Sequence, residues 1–244
     1  SVGGQTNPDS PLSDVDVRRA LAMAIDRQGI VDSLLGGEGE PAYLFSFPAS
    51  VGFPEDADDL VWEYDLDAAA ELLGGAGYGD GFPLELVVPT VGRELAGAVA
   101  QGWRELGVDV TVSVVEQAEA LSDMQSDARK QETRIIMVWG PNGIPFRSEI
   151  SGSMATHLNG GETHSQPLAS STVPDLVAAQ AAEVDPEARR EILAELLTTA
   201  FEEVDVIPTW YVNSLYGVGP RVGTWEVPSG ATYLTGMDTL ELAE

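Results

Sequence analysis

Two histidines, a tryptophan and an arginine gather in one stretch of this chain, and they are its clearest candidates for chemistry. His157 and His164 lie in a segment rich in glycine, serine and asparagine. Neutral imidazole suits nickel, copper or zinc, so the pair is a candidate metal site; the plain alternative is two surface side chains. Trp139 closes the apolar run Ile135-Ile136-Met137-Val138-Trp139, where it can stack on a bound molecule or simply finish a core. Arg147 carries a planar donor fork that fits a carboxylate, although Glu149 is near enough in sequence to take that fork instead.

Catalytic constellations are missing from the sequence. It lacks the Gly-x-Ser-x-Gly elbow, a glycine-rich phosphate loop and the His-Glu-x-x-His signature. With no cysteine there is no thiol nucleophile, disulfide or thiolate-bound metal. A carboxylate pair acting as acid and base carries no weight among 40 acidic residues. No enzymatic activity and no cofactor are therefore expected.

Those 40 acids face 12 basic residues, a formal net charge of -28. Nucleic acid and anionic membrane are excluded as partners, because their phosphates would be repelled at every approach. A surface so acidic fits a salt-loving source, where concentrated ions screen carboxylates from one another. No apolar run is long enough to span a membrane, and no basic segment leads into an apolar one at the start. A chain beginning at Ser1 reads as a piece of something longer.

The elements that must position these residues alternate helix and strand. Ser13 or Asp14 can cap a helix with the apolar face Val17, Ala20, Leu21, Ala24 and Ile25, and Asp26 can cap a shorter helix that stops at Gly36. Residues 36–59 read as an ordered loop over a core. Asp65 caps a helix that ends in the glycines at 74–77. A strand at Leu84–Val88, a helix at Arg93–Leu106 and a strand at Val108–Val115 make a βαβ unit. A helix at Ala118–Arg129 then leads to the 135–139 run, which reads as a buried central strand. Periodicity is lost from Gly140 to Thr172. Helices at Pro174–Val184 and Pro186–Glu203 follow, the second capped by Asp185, and then strands at Ile207–Val212, Leu215–Val218 and Thr239–Leu242. The class is α/β, a layered lobe with a mixed sheet.

The pairing of Arg-Arg-Ala-Leu-Ala-Met-Ala-Ile-Asp-Arg at 18–27 with Tyr64-Asp65-Leu66-Asp67-Ala68-Ala69-Ala70-Glu71-Leu72-Leu73 and Ala76-Gly77-Tyr78 resembles the extracellular solute-binding proteins of the dipeptide, oligopeptide and nickel ABC importers. Asp185 to Arg189 repeats a further element of that family. The resemblance runs from about Asn7 to the end. It implies a type II periplasmic-binding-protein-like fold, of which this chain is the C-terminal lobe: residues 1–12 a remnant of the hinge strand, 13–206 the ligand-binding lobe, and 207–244 strands and tail returning to a missing N-terminal lobe.

It also implies an extracellular, cell-surface or periplasmic protein that delivers a small solute, first of all a peptide, to an ABC permease. Peptide-binding members carry Trp-x-x-Asp-Tyr after the corresponding strand, the aspartate pairing with the ligand's ammonium group. Here Trp139-Gly140-Pro141-Asn142-Gly143 offers a neutral amide in its place. The resemblance makes Trp139, Gly140, Asn142, Phe146 and Arg147 the candidate ligand contacts. The nickel-binding branch carries Trp-Gly-x-Pro-Tyr, a Ser-Met pair and a loop histidine. Trp139-Gly140, Pro145-Phe146, Ser153-Met154 and His157 or His164 follow that order, so nickel or a metal chelate is the alternative ligand. A regulatory or surface protein reusing the same lobe is the second alternative. Trp210, Tyr211 and Tyr216 read as core or interlobe packing.

Overall fold

The chain begins as a set of capped helices held together by buried arginines. A computed structural model describes residues 2–48, 50–126, 132–137, 158, 168–213, 215–226 and 239–243. Helix α1 (Val15–Met23) starts at Asp14, whose carboxylate accepts from the amide of Asp16 at 2.8 Å. Ser10 caps the single 3₁₀ turn before it. Asp26 accepts from Gly29 N and starts α2 (Arg27–Leu34). The family-like arginines lie inside: Arg18 and Arg27 are both almost wholly buried. Arg18 donates to the carbonyls of Leu12, Ser13, Glu203 and Val204. Arg27 donates to those of Ala22, Ala42 and Pro208 and sits 5.0 Å over the Tyr43 ring and 5.4 Å over Trp62. Burial lowers the Arg27 pKa to about 10, which leaves it charged at neutral pH. These residues staple distant backbone segments, so the most legible motif of the chain is scaffolding.

Helix α3 (Leu66–Gly75), capped by Asp65 through Ala68 N, lays Ala69 and Leu73 into the same core. The sheet follows. Strand β2 (Pro83–Pro89) pairs in parallel with β3 (Asp109–Val115) on one side and β4 (Arg134–Ile136) on the other, in register Leu86↔Val112 and Glu85↔Arg134. Helix α4 (Arg93–Glu105) covers the face made by Leu84, Leu86 and Val88, using Ala96, Val99, Ala100 and Trp103. Helix α5 (Gln117–Gln125) covers the opposite face, where Ala120 meets Val87 and Ile136. From Leu86 strand β2 is buried on both faces, which explains its apolar run Leu86-Val87-Val88. Gly102 permits the close approach of α4 to the end of α1, because a Cβ there would stand 2.0 Å from the carbonyl oxygen of Ala24.

A second, smaller core forms between α6 (Thr172–Ala182) and α7 (Pro186–Glu202), from Val173, Val177, Leu193, Leu196, Leu197 and Ala200 together with Leu158 and Leu168. Asp185 caps α7 through Glu187 N and Ala188 N, and Pro186 fills the first helical position. Arg189 donates to the carbonyl of Gln180 and so ties the two helices. Strand β1 (Gly39–Pro41) pairs antiparallel with β5 (Trp210–Val212), and β6 (Val222–Thr224) with β7 (Glu241–Leu242).

Several expectations are corrected. Among the described residues, the strand of the 135–139 run is β4, Arg134–Ile136, with Val138 and Trp139 outside them, and β4 flanks β2, which is central in the described three-stranded sheet. Its outer side meets Val2 in a single antiparallel bridge. The segment 36–59 contains β1, which the glycines and prolines around it hid. Residues 215–218 form no strand; β6 lies later, at 222–224. Helix α5 ends at Gln125, short of Arg129.

Candidate functional site

Parallel strands bring their carboxyl ends to one edge, and here the order of strands reverses at that edge. The chain runs from β2 outward to β3, then crosses back over β2 to β4, with α4 and α5 on opposite faces. Where strand order reverses in this way, connecting segments diverge and leave a crevice beyond the carboxyl ends. The three ends are held together locally. Thr90 Oγ1 donates to the carbonyl of Val115 at 3.4 Å, and Met137 N donates to that of Val87 at 2.9 Å. Trp139 follows Met137 by two residues in the sequence. Trp139, Gly140, Asn142, Phe146, Arg147, His157 and His164 all lie outside the described residues. Among the described residues, no group of three or more His, Cys, Asp or Glu side chains is placed to hold a metal ion.

The described part of the edge is the turn Thr90-Val91-Gly92 and the start of α4. Val91 is 64% exposed, an apolar side chain in solvent at the mouth of the expected crevice. Gly92, which has no side chain, is the N-cap of α4, and Glu116, the N-cap of α5, makes no side-chain cap. The first-turn amides of two helices therefore stand at this edge without a capping side chain. Arg93, the first residue of α4, is exposed. Basic side chains are scarce here and nearly all are committed: Arg19 to Asp16, Arg190 to Glu187, Arg104 to the Val110 carbonyl, Arg189 to Gln180, and Arg18, Arg27 and Arg134 to buried partners. Among the described residues, only Arg93 and Arg221 have no hydrogen-bond or ion-pair partner for their guanidinium. Sequence reasoning passed over Arg93; the available signal was a lone cation one turn past a buried strand.

Beneath the edge, Arg134 anchors β4. It is 1% exposed and meets Asp123 at 2.8 Å, Glu132 at 3.3 Å and Glu85 at 3.5 Å, while Ser113 donates to the other Glu85 oxygen at 2.6 Å. The cluster joins β2, β3, β4 and α5 at the amino end of β4, away from the carboxyl edge. Of the aromatic residues left open between core and interlobe packing, Trp210 packs on the main core. Tyr211 donates to the carbonyls of Ser46 and Leu44, and burial pushes its hydroxyl pKa up. Tyr216 meets Trp225 edge to face at 5.3 Å.

Residues 5–157 match the family described as bacterial extracellular solute-binding proteins, family 5 Middle. The chain is 28% identical over 162 residues to the oligopeptide-binding protein AppA of Bacillus subtilis, covering 60% of this chain and 30% of that protein. It is 27% identical over 225 residues to the periplasmic oligopeptide-binding protein OppA of Salmonella typhimurium, covering 89% of this chain and 40% of that one. The solved structure of HbpA2 from Haemophilus parasuis superposes with a TM-score of 0.77 at 21% identity, over 100% of this chain and 47% of that one. The chain thus spans less than half the length of these relatives.

Proposed function

Taking as premise that the chain belongs to the bacterial extracellular solute-binding proteins of family 5, we propose that it is the C-terminal lobe of a two-lobed clamp. The clamp takes up a peptide outside the cytoplasm and presents it to the permease of an ABC importer. The family is one of binding proteins, and relatives named for oligopeptides support the substrate class. The observation that supports it is the reversal of strand order about β2, the arrangement beside which a ligand crevice is expected beyond the carboxyl ends.

A second lobe accounts for the exposed apolar side chains of the final segment. Val212, Leu215, Val218 and Leu242 are 46%, 72%, 53% and 74% exposed. Ligand held by both lobes favours the closed arrangement, and the closed form is the one the permease takes.

Within that crevice, Trp139 stacks on the ligand, while Gly140, Phe146 and Arg147 complete its lining. Asn142 meets the ligand's amino end with a neutral amide, and a neutral hydrogen bond is about half as strong as a charge-assisted one. The carboxylate end then carries more of the recognition, and Arg93 at the start of α4 is the cation free to supply it. Isothermal titration of the full-length protein tests this with a short peptide and its C-terminally amidated form. The free acid should bind at least about tenfold more tightly, and Arg93→Gln should remove most of that preference. Equal affinities for the two peptides, or a preference that survives the substitution, would reject the role of Arg93. No binding of any peptide would reject the substrate class.

A further inference from the structure

Strand β3 forms an open edge of the described three-stranded sheet. It pairs with β2 on one side over Asp109–Val115, whereas the outer side of β4 is met by Val2. Asp109 N donates to the carbonyl of Phe82 at 2.9 Å, and alternate residues of a parallel ladder bond to the same neighbour, so Asp109, Thr111, Ser113 and Val115 bond toward β2. Val110, Val112 and Val114 therefore turn their N–H and C=O groups away from it. Arg104 donates to the Val110 carbonyl at 2.7 Å. Among the described residues, the amides and carbonyls of Val112 and Val114 have no hydrogen-bond partner. An edge is ordinarily blunted by lysine, proline, a bulge or short length. From Val110 to Val115 this one reads Val-Thr-Val-Ser-Val-Val, and its pairing to β2 runs without a bulge.

We propose that β3 pairs antiparallel with β3 of a second copy of this chain about a two-fold axis at Ser113, joining two lobes through one continuous sheet. The register follows from which groups are free. With Ser113 opposite the partner's Ser113, Val112 lies opposite the partner's Val114, and each such pair exchanges both of its backbone bonds. These pairs use the open groups of Val112 and Val114 and leave Arg104 on the Val110 carbonyl. An axis at Val112 would need that carbonyl. Centred on Ser113, the strands also set Thr111 against the partner's Val115, so β-branched side chains oppose one another. The partner's Glu116 comes opposite Val110, where Arg104 stands. Glu116 makes no cap to its own helix, and its charge complements that arginine. Asp109 falls opposite the partner's Gln117, so no acid opposes an acid. The interface is small and each copy carries a net charge of -28, so association is weak and needs salt to screen the repulsion between copies. It is independent of what the lobe binds.

Sedimentation velocity of the full-length protein, at up to about 1 mM, tests the pairing over a range of potassium chloride. The dimer dissociation constant should fall at least about tenfold between about 0.1 M and about 1 M salt. Val112→Pro should weaken the dimer at least about tenfold at the higher salt, because proline removes an outward N–H and no bond to β2. A monomer at every salt concentration, or a dimer that Val112→Pro leaves unchanged, would overturn the proposal. If the variant does not fold, amide hydrogen exchange of the wild-type protein, read by NMR at fixed high salt, decides. The amides of Val112 and Val114 should gain protection as protein concentration rises, with Ser113 protected throughout. Protection at Val112 and Val114 that is independent of concentration would overturn the pairing, whether the edge is then bare or covered by another part of the same molecule.

Discussion

Arg18 Nε donates to the carbonyl oxygen of Val204 at 3.2 Å, across a sequence separation of 186 residues. Val204 is the one described non-glycine residue with positive φ, at 50°, and it is fully buried. A β-branched residue in that region is strained by about 1–3 kcal/mol. Arg18 makes the conformation tenable by satisfying the carbonyls that α7 leaves open at Glu203 and Val204, and its positive charge suits the negative end of that helix.

Replacing Arg18 with Met should therefore be costly. Four carbonyls, two buried and two part-buried, lose a charged donor, and even at about 1 kcal/mol each the loss is on the order of 3–5 kcal/mol. The half-exposed Arg19, paired with Asp16 at the surface, should cost under about 1 kcal/mol when changed in the same way. Urea denaturation of both variants measures the difference. Equal losses would mean that Arg18 does not staple α1 to α7.

Helix α4 supplies a second matched pair. Gly102→Ala puts a Cβ against the Ala24 carbonyl and should destabilise by about 2 kcal/mol or more, although alanine is the better helix former. Gly97→Ala, on the exposed face with nothing within 4 Å, should stabilise by up to about 1 kcal/mol. Thermal melts of the two variants should shift in opposite directions. A shift in the same direction would remove the close approach of α4 to α1 as the reason for Gly102.

Much of this was legible in the sequence because it is local. Asp14, Asp26, Asp65 and Asp185 announce their helices, and a cap needs only the next three residues to act. The alternation of strand and helix from Leu84 to Val115 likewise follows from periodicity. What stayed hidden is non-local. Strand β1 exists because β5 arrives from far along the chain to pair Gly39 with Val212, and nothing in the three residues Gly39–Pro41 signals it. Arg93 stands out only once the other described cations, Arg221 excepted, have been traced to their partners. Trp139 was read as the end of a central strand, and the described sheet instead puts β2 at the centre, because the chain crosses back over it to reach β4.

Asp205 gives a pH dependence whose sign is fixed by the direction of its shift. Its folded-state pKa is raised to about 7 from 3.8, so the folded protein holds a proton that the unfolded chain releases. Stability from this group is full below about pH 4 and is lost as pH rises toward 7, after which it is flat. Asp205→Asn should remove that fall, so the stability difference between variant and wild type should grow with pH in the variant's favour, by on the order of 2–4 kcal/mol. Denaturation at about pH 5 and about pH 8 measures it. A difference that shrinks as pH rises would reverse the assigned sign.

The net charge of -28 predicts how the protein answers to salt. Few of the described carboxylates are paired: Asp16, Glu187 and the three acids around Arg134 are, and the others repel one another across the surface. Screening shortens the reach of that repulsion from about 30 Å at 0.01 M salt to about 3 Å at 1 M, so adding potassium chloride should raise the melting temperature steeply at first and then more slowly. Surface ion pairs act in the opposite sense, since salt weakens attraction as well, but they are too few and too weak to reverse the trend. Choline chloride at equal ionic strength should reproduce the early rise if screening is the cause. A melting temperature that is flat or falls with added salt would remove the case for a protein adapted to concentrated brine.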